Sequence, residues 1–368
     1  MTWNCRAGRI LALLAAGSVA ALGALAYAGV AMAEVDAIPA SEGHDITKLC
    51  GAKPTKVGLA DGVGSDAWRH IRNAEFYDEA AKCKNITNVY YTDANGDPQK
   101  ANSDINSLVA RGVDILIVHM DLPNAQLPAM RKAVKAGVVV IAEPAKIDGK
   151  VGIDFSANVY SATDYVAQGS ADWLAKVVKK GNVIYLGGTP GQPISEKQFE
   201  AFRDELKKYP DLHLLEDHYI VTNWNAADTQ KAMAGLIAKY PKIDGVASDY
   251  APMVYASVRT FQEAGLPVPA MASAGTNNEI ACAYLKDRTD GKGWQYLSRD
   301  SSTSIARFSL RRGMAIFQGI SSDEPLGMKY IDYVDSTRGM DPKCDPSLPP
   351  NADLSANLTP DQLKAALK

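Results

Sequence analysis

The sequence predicts an α/β chain of two similar doubly wound parallel-sheet lobes joined by a multi-strand hinge. Three observations predict it. Apolar runs of strand length alternate with segments of helical period, which argues for parallel sheets covered by helices on both faces. The alternation runs from Lys56 to Ile141 and restarts at Asp164, giving two successive sets. The chain, at 368 residues, is also too long for one average domain.

The elements follow in order. Lys56–Ala60 reads as a first strand, Trp68–Lys82 as a helix, and Val89–Tyr91 as a second strand ending in an Asp-, Asn- and Gly-rich turn. Gln99–Arg111 is helical. Ile115–Val118 is wholly apolar and suits a strand buried on both faces. The helix Ala125–Ala136 stops at Gly137, before the strand Val138–Ile141. In the second set, Asp164–Lys180 is helical, Asn182–Leu186 is a strand, and Glu196–Tyr209 is a helix stopped by Pro210. A strand region begins at Leu212. Thr229–Tyr240 is a helix stopped by Pro241, Asp244–Ser248 is a strand, and Met253–Ala264 is a helix closed by Gly265-Leu266-Pro267. The tail from Met340 is irregular until Thr359, which caps a terminal helix with Pro360 at its first position.

The first residues bear on export. Arg6 and Arg9 precede an apolar run from Ile10 to Val30, which ends in Ala31-Met32-Ala33 before Glu34. A basic start, an apolar middle and a small-x-small end describe a secretory signal peptide, expected at 1–33 and cleaved. The run is also long enough for a membrane anchor, but its Ala- and Gly-rich content and the placed triplet favour cleavage. The protein is therefore expected outside the cytoplasm, in the periplasm or beyond. Cysteine usage agrees. Cys50, Cys83, Cys282 and Cys344 remain after cleavage, an even number with no C-x-x-C pair and no clustered His, which argues for two disulfides rather than zinc. Cys50 precedes the first strand and Cys83 ends the helix after it, so the two meet at one edge of a β/α unit. Cys282 would then pair with Cys344 and tie down the tail.

Charge excludes one partner class. Lys and Arg number 39 against 42 Asp and Glu, with no basic patch or arm, so nucleic acid is not expected. Enzyme signatures are absent: there is no G-x-S-x-G, no phosphate-binding G-x-x-x-x-G-K-[ST] and no H-E-x-x-H. The five histidines are scattered, and no metal or cofactor is implied. The enzyme reading left is a glycoside-processing one using Asp61 and Glu143 as paired carboxylates.

In open parallel sheets, ligands bind beyond the carboxyl ends of the strands. The residues there recur as polar and aromatic types. Asp61, Ser65, Asp66, Trp68 and Arg69 follow the first strand; Asp121 and Glu143 follow later ones. In the second set Trp224 and Asn225, Asp249 and Tyr250, Asn277, and Arg299 hold equivalent places. Asp66 also suits a helix cap, and a Trp suits packing against a sheet. A Trp beside a Gly-rich loop is equally a stacking platform for the apolar face of a sugar.

These residues carry a resemblance. From Lys56 to Ser336 the chain resembles the ribose-, galactose- and galactofuranose-type periplasmic binding proteins of ABC transporters (type I periplasmic binding proteins). The segment Val57–Asp61 through Trp68-Arg69 is similar to the family's first strand and ligand loop. Leu108–Ile117, with its Arg-Gly-Val-Asp step, Gly187–Gly191 and Asn223-Trp224-Asn225 resemble later family segments. The resemblance implies that Asp61, Ser65, Trp68, Arg69 and Glu143 face a ligand from one lobe. Gln198, Trp224, Tyr250 and Arg299 would face it from the other. Four positions depart from the sugar-binding pattern: Pro144 and Gln198 replace arginines, Tyr250 an asparagine and Ala274 an aspartate. The resemblance also implies a monomer that captures a sugar-like small molecule by lobe closure and delivers it to a membrane permease. A sensor docking to a chemoreceptor or kinase is the alternative. The lobes are expected at 55–145 plus 300–325 and at 146–299 plus 326–338, followed by the tail 339–368.

Overall fold

A computed structural model describes residues 37–64 and 66–368; the expected signal peptide and Ser65 lie outside them. After a short strand, β1 (Ala37–Pro39), the first lobe lays down β2 (Thr55–Asp61), α1 (Ala67–Ala80), β3 (Ile86–Asp93), α2 (Pro98–Ala110), β4 (Ile115–His119), α3 (Pro123–Lys135), β5 (Val139–Glu143) and β6 (Ala157–Asn158). Its sheet is parallel throughout, in the order β3-β2-β4-β5-β6. After β7 (Tyr160–Ser161), the second lobe lays down α4 (Thr163–Val178), β8 (Gly181–Gly187), α5 (Pro193–Leu206), β9 (Leu212–Leu214), β10 (Ile220–Val221), α6 (Ala226–Lys239), β11 (Gly245–Ser248), α7 (Ala251–Glu263), β12 (Ala270–Ser273), α8 (Asn278–Thr289) and β13 (Tyr296–Arg299). The chain then returns to the first lobe as α9 (Ile305–Gln318), turns back through β14 (Gly327–Lys329) to β15 (Asp332–Asp335), and ends in α10 (Pro360–Ala366).

The second sheet runs β10-β8-β11-β12-β13-β15, with β9 also on β8; β15 alone is antiparallel, on β13. A third sheet, β1-β14-β7, is parallel and lies where the chain changes lobe. Two of the three crossings, through β7 and β14, are thus hydrogen-bonded to each other. The third runs from β13 to α9.

Side-chain alternation makes each sheet two-faced. In the first lobe, Val57, Leu59, Ile115, Ile117 and Ile141 pack with Phe76 of α1 and Phe308 of α9. Their neighbours Ala60, Leu116, Val118, Val140 and Ala142 pack with α2 and α3 on the opposite face. The second lobe repeats the device. Ile184, Leu186, Val246 and Met271 meet α6, α7 and α8, while Val183, Tyr185, Ala247 and Ala272 meet α4 and α5. Both expected cysteine pairs form: Cys50 with Cys83 and Cys282 with Cys344, at Cα separations of 5.3 and 4.9 Å.

The chain is shared between lobes differently from the sequence expectation in two places. It stays with the first sheet past residue 145, through β6, and Phe155 packs in the first lobe's core. Ahead of residue 55, Ile46 and Leu49 are buried in that same lobe, beside the Cys50–Cys83 bridge. No helix among the described residues is long and apolar enough to cross a membrane.

Candidate ligand cleft

The carboxyl ends of the two parallel sheets face one cleft, enclosing about 730 Å³ with its mouth included. Eight of the fourteen residues expected at the site line it: Asp66, Trp68, Arg69, Asp121, Gln198, Trp224, Asp249 and Tyr250. His119, Met120, Pro144, Ala145, Gln192, Ile194, Ala274, Ser301, Ser302 and Tyr330 complete the wall.

The first lobe's wall starts at the N-terminus of α1. Asp66 caps that helix by accepting from the Arg69 N–H at 2.9 Å, which sets Trp68 on the first turn, over the cleft. The Trp68 indole donates to the Ser301 carbonyl at 2.6 Å and meets the His119 ring edge-on, centroids 5.6 Å apart. Arg69 is buried and surrounded by acid: Asp121 at 2.7 Å, Asp61 at 3.6 Å and Asp66 at 3.9 Å. Burial alone would lower its pKa, but these carboxylates outweigh it and the guanidinium is held firmly charged. The other oxygen of Asp121 accepts from the Gly62 and Val63 amides at 3.2 and 3.0 Å. Burial, reinforced by Arg69, pushes the His119 pKa down to about 3, so its imidazole is neutral.

The second lobe's wall centres on Trp224. Asn223 and Trp224 both take left-handed backbone conformations, φ 52° and 53°. The turn aims the indole at Asp249, to which Trp224 donates at 3.0 Å. The other oxygen of Asp249 accepts from the Ser195 hydroxyl. A Cβ on Gly188 would lie 2.1 Å from the Trp224 ring, so only glycine lets the indole lie there. Burial raises the Asp249 pKa to about 6, against the lowering effect of Ser195 and Trp224. Gln198 accepts from the Tyr185 hydroxyl at 3.0 Å.

Five expected residues do not line the cleft, and each has a structural employment instead. Asp61 and Glu143 are sealed beneath it on the Arg72 guanidinium, which donates to Glu143 at 2.9 Å and to Asp61 at 3.4 Å. Ser309 of α9 also donates to Glu143. The paired carboxylates of the glycosidase reading are therefore tied up by a buried cation. Asn225 caps α6 by accepting from the Asp228 amide, and Asn277 caps α8 by accepting from the Ile280 amide. Arg299 is spent on Asp332, 2.9 Å away. Ser65, the remaining member, lies outside the described residues.

Several residues of the wall and of the layer beneath it were not anticipated. Arg72 had a signal in its spacing: it stands three residues after Arg69, on the same face of α1. Gln192 had one as well, preceding Pro193 at a helix start. Ser301, Ser302 and Tyr330 come from the lobe crossings, where no strand or helix pattern marks them.

Comparison with known proteins agrees with this geometry. Residues 60–292 match the family described as periplasmic binding protein domain. A xylitol-binding protein of Mycolicibacterium smegmatis is 28% identical over 195 residues, covering 52% of this chain and 54% of that one. A galactofuranose-binding protein of Escherichia coli is 26% identical over 224 residues, covering 58% and 68%. The matched region thus spans 54% to 68% of these relatives' own length. Among solved structures, an ABC transporter solute binding protein from Thermobispora bispora is similar with a TM-score of 0.67 at 21% identity, covering 84% of this chain and 90% of that one. One from Actinobacillus succinogenes, solved with bound D-allose, has a TM-score of 0.64 at 21% identity, covering 77% and 98%. At these identities the likeness to solved structures is one of fold. With the match extending over most of both lobes, the chain belongs to the periplasmic binding protein family.

Proposed function

We propose that this protein is the solute-binding component of an ABC transporter, capturing a neutral sugar or polyol by closing its lobes and presenting it to a membrane permease. The observation that carries the reading is one indole from each lobe, Trp68 and Trp224, on one cleft at the strand ends. Two aromatic faces suit the apolar faces of a carbohydrate. Neutrality follows from charge accounting. Arg69, the cation in the wall, is already matched by Asp121, Asp61 and Asp66, so an anionic ligand would find no free partner. Asp121, Gln198, Asp249, Tyr250 and Gln192 are then the groups that take hydroxyls, with Asp66 beside them. The relatives named above for xylitol and galactofuranose, and the D-allose complex, are of the same chemical class.

Contacts to both lobes favour the closed form over the open one, and the pivots are the three crossings. On this reading the protein acts as a monomer outside the cytoplasm after cleavage at Ala33, which N-terminal sequencing of exported protein checks. Binding is tested by a thermal-shift screen of neutral sugars and polyols beside sugar acids and amino acids, followed by calorimetry. A specific ligand raises the melting midpoint. Stabilisation by charged solutes alone, or by no solute in the neutral set, would overturn the proposal.

A further inference from the structure

The chain continues well beyond the family match, which ends at residue 292. Its last stretch is ordered by contacts to both lobes. One end is fixed to the second lobe. Cys344 is bridged to Cys282 on α8, and the Asn278 side chain donates to the Asp345 carbonyl at 2.7 Å. The Asn278 and Glu279 amides, free at the start of α8, donate to the Ala352 and Pro350 carbonyls at 2.7 and 2.8 Å. The tail next passes the β13–α9 crossing, where the Ser301 amide donates to the Ser355 hydroxyl at 3.1 Å.

The other end is fixed to the first lobe. The Asn357 amide donates to Glu75 of α1 at 3.1 Å, and Arg307 of α9 donates to the Asn357 carbonyl at 2.8 Å. Gln362 of α10 reaches Asp78 of α1 at 2.8 Å, and Leu363 is buried with Ile71, Leu348 and Ala352. A short run of chain, Asp345 to Asn357, thus joins the lobes beside the three covalent crossings.

We propose that the C-terminal tail is a strap that limits how far the lobes open, fixed to the second lobe and releasable at α10 on the first. The asymmetry is chemical. The α8 end is held by a covalent bridge, whereas the α10 foot has no covalent bond and is held by a seven-residue helix, the buried Leu363 with Leu358 and Leu367 packed in the same cluster, and a few hydrogen bonds. When the lobes part, the foot is the end that lets go. The inference concerns the ligand-free protein and does not depend on which solute binds.

Spin labels on the exposed rim helices, at Lys100→Cys in α2 and Lys231→Cys in α6, report the interlobe distance by double electron–electron resonance. The label pair is placed in the full chain, in Leu363→Asp and in a chain ending at Leu358. The full chain should give a narrow distance distribution; both altered chains should add a longer population several-fold above it, with native circular dichroism. Superimposable distributions in a folded variant would overturn the strap. A second measurement needs no variant: hydrogen exchange of the unaltered protein. Amides of α10 should exchange faster than those of Asn278, Glu279 and Ala352, whereas equal or stronger protection of α10 would overturn the releasable foot.

Discussion

Gln192 reaches across the cleft to Asp121: its side-chain amide, at the N-cap of α5 in the second lobe, donates to the first lobe's carboxylate at 3.0 Å. The same oxygen of Asp121 accepts from Arg69 at 2.7 Å, so the lobes are joined through a charge already placed by the first lobe. Gln192→Glu sets a second carboxylate against Asp121 and should favour the open form. Small-angle scattering of the ligand-free variant should give a larger radius of gyration than the unaltered protein. Gln192→Ala should lie between the two. An unchanged radius in the Glu variant would mean that this bond has no part in closure.

Gly188 fixes the second indole. A methyl group there would sit 2.1 Å from the Trp224 ring, so Gly188→Ala must push the indole off its seat and off Asp249. Overpacking of this kind costs about 1–3 kcal/mol. The signature is separable from a general loss of fold: Trp fluorescence and solute binding should change well before the denaturation midpoint does. A variant with native affinity would show that Trp224 does not need its position.

The two indoles can be tested against a core role. Trp68→Ala and Trp224→Ala should each weaken binding by roughly 1–3 kcal/mol, the size of an interface hot spot. Stability should fall by less than the ~3–5 kcal/mol typical of emptying an aromatic core site. Calorimetric titration beside chemical denaturation decides. A large stability loss with unchanged affinity would return both residues to the core.

Arg72 makes the opposite kind of claim. It is fully buried and is the partner of two buried carboxylates, Asp61 and Glu143. Arg72→Ala leaves both without that cation, a change that typically costs ~3–5 kcal/mol. Arg72→Lys keeps the charge but not the forked geometry and should recover only part of it. A denaturation midpoint unchanged in Arg72→Ala would mean that the network contributes nothing to stability.

The lobes were legible in the sequence because burial on both faces writes itself into the strands: Ile115–Val118 is apolar throughout, and its residues divide between two cores. The return helix α9 was not legible. Its buried face includes Arg307 and Arg311, paired with Glu75 and Glu79, and Gly313, whose missing side chain admits Ile115. Set among Ile305, Phe308, Leu310 and Met314, these arginines and the glycine interrupt the apolar periodicity. The site shows the same limit. Residues after a strand were placed near the cleft, but position along a chain cannot tell a wall from a floor. Asp61 and Glu143 end strands as expected, yet face inward to Arg72, and Asn225 and Asn277 went to helix caps, the commoner use of asparagine at such positions. The cysteine pairing was legible because strand and helix ends have fixed edges in a β/α unit.

The last prediction concerns pH. Burial raises the Asp249 pKa from 3.8 to about 6, and raises Asp353 to about 6 and Asp300 to about 7. A carboxyl whose folded pKa exceeds its unfolded value holds its proton more tightly in the folded chain. These three groups therefore contribute most favourably below about pH 4, and their contribution is lost as pH rises through 6 to 7. The slope has the reverse sign to that of Asp78 and Glu79, whose pKa values are lowered through their bonds to Arg307, Arg311 and other partners. Those two lose their contribution only as pH falls below the ordinary carboxylate range. Between about pH 4.5 and 7 His119, its pKa lowered from 6.5 to about 3, contributes the opposite slope, but the three raised carboxyls outweigh it, so unfolding free energy from denaturant titration should decline with pH. Asp249→Asn removes one titration and should flatten the decline by an amount on the order of 1–3 kcal/mol. The same variant keeps an acceptor for the Trp224 indole, so the effect on pH dependence can be read apart from loss of the wall. A profile in Asp249→Asn parallel to that of the unaltered protein would show that this carboxyl does not titrate in the window.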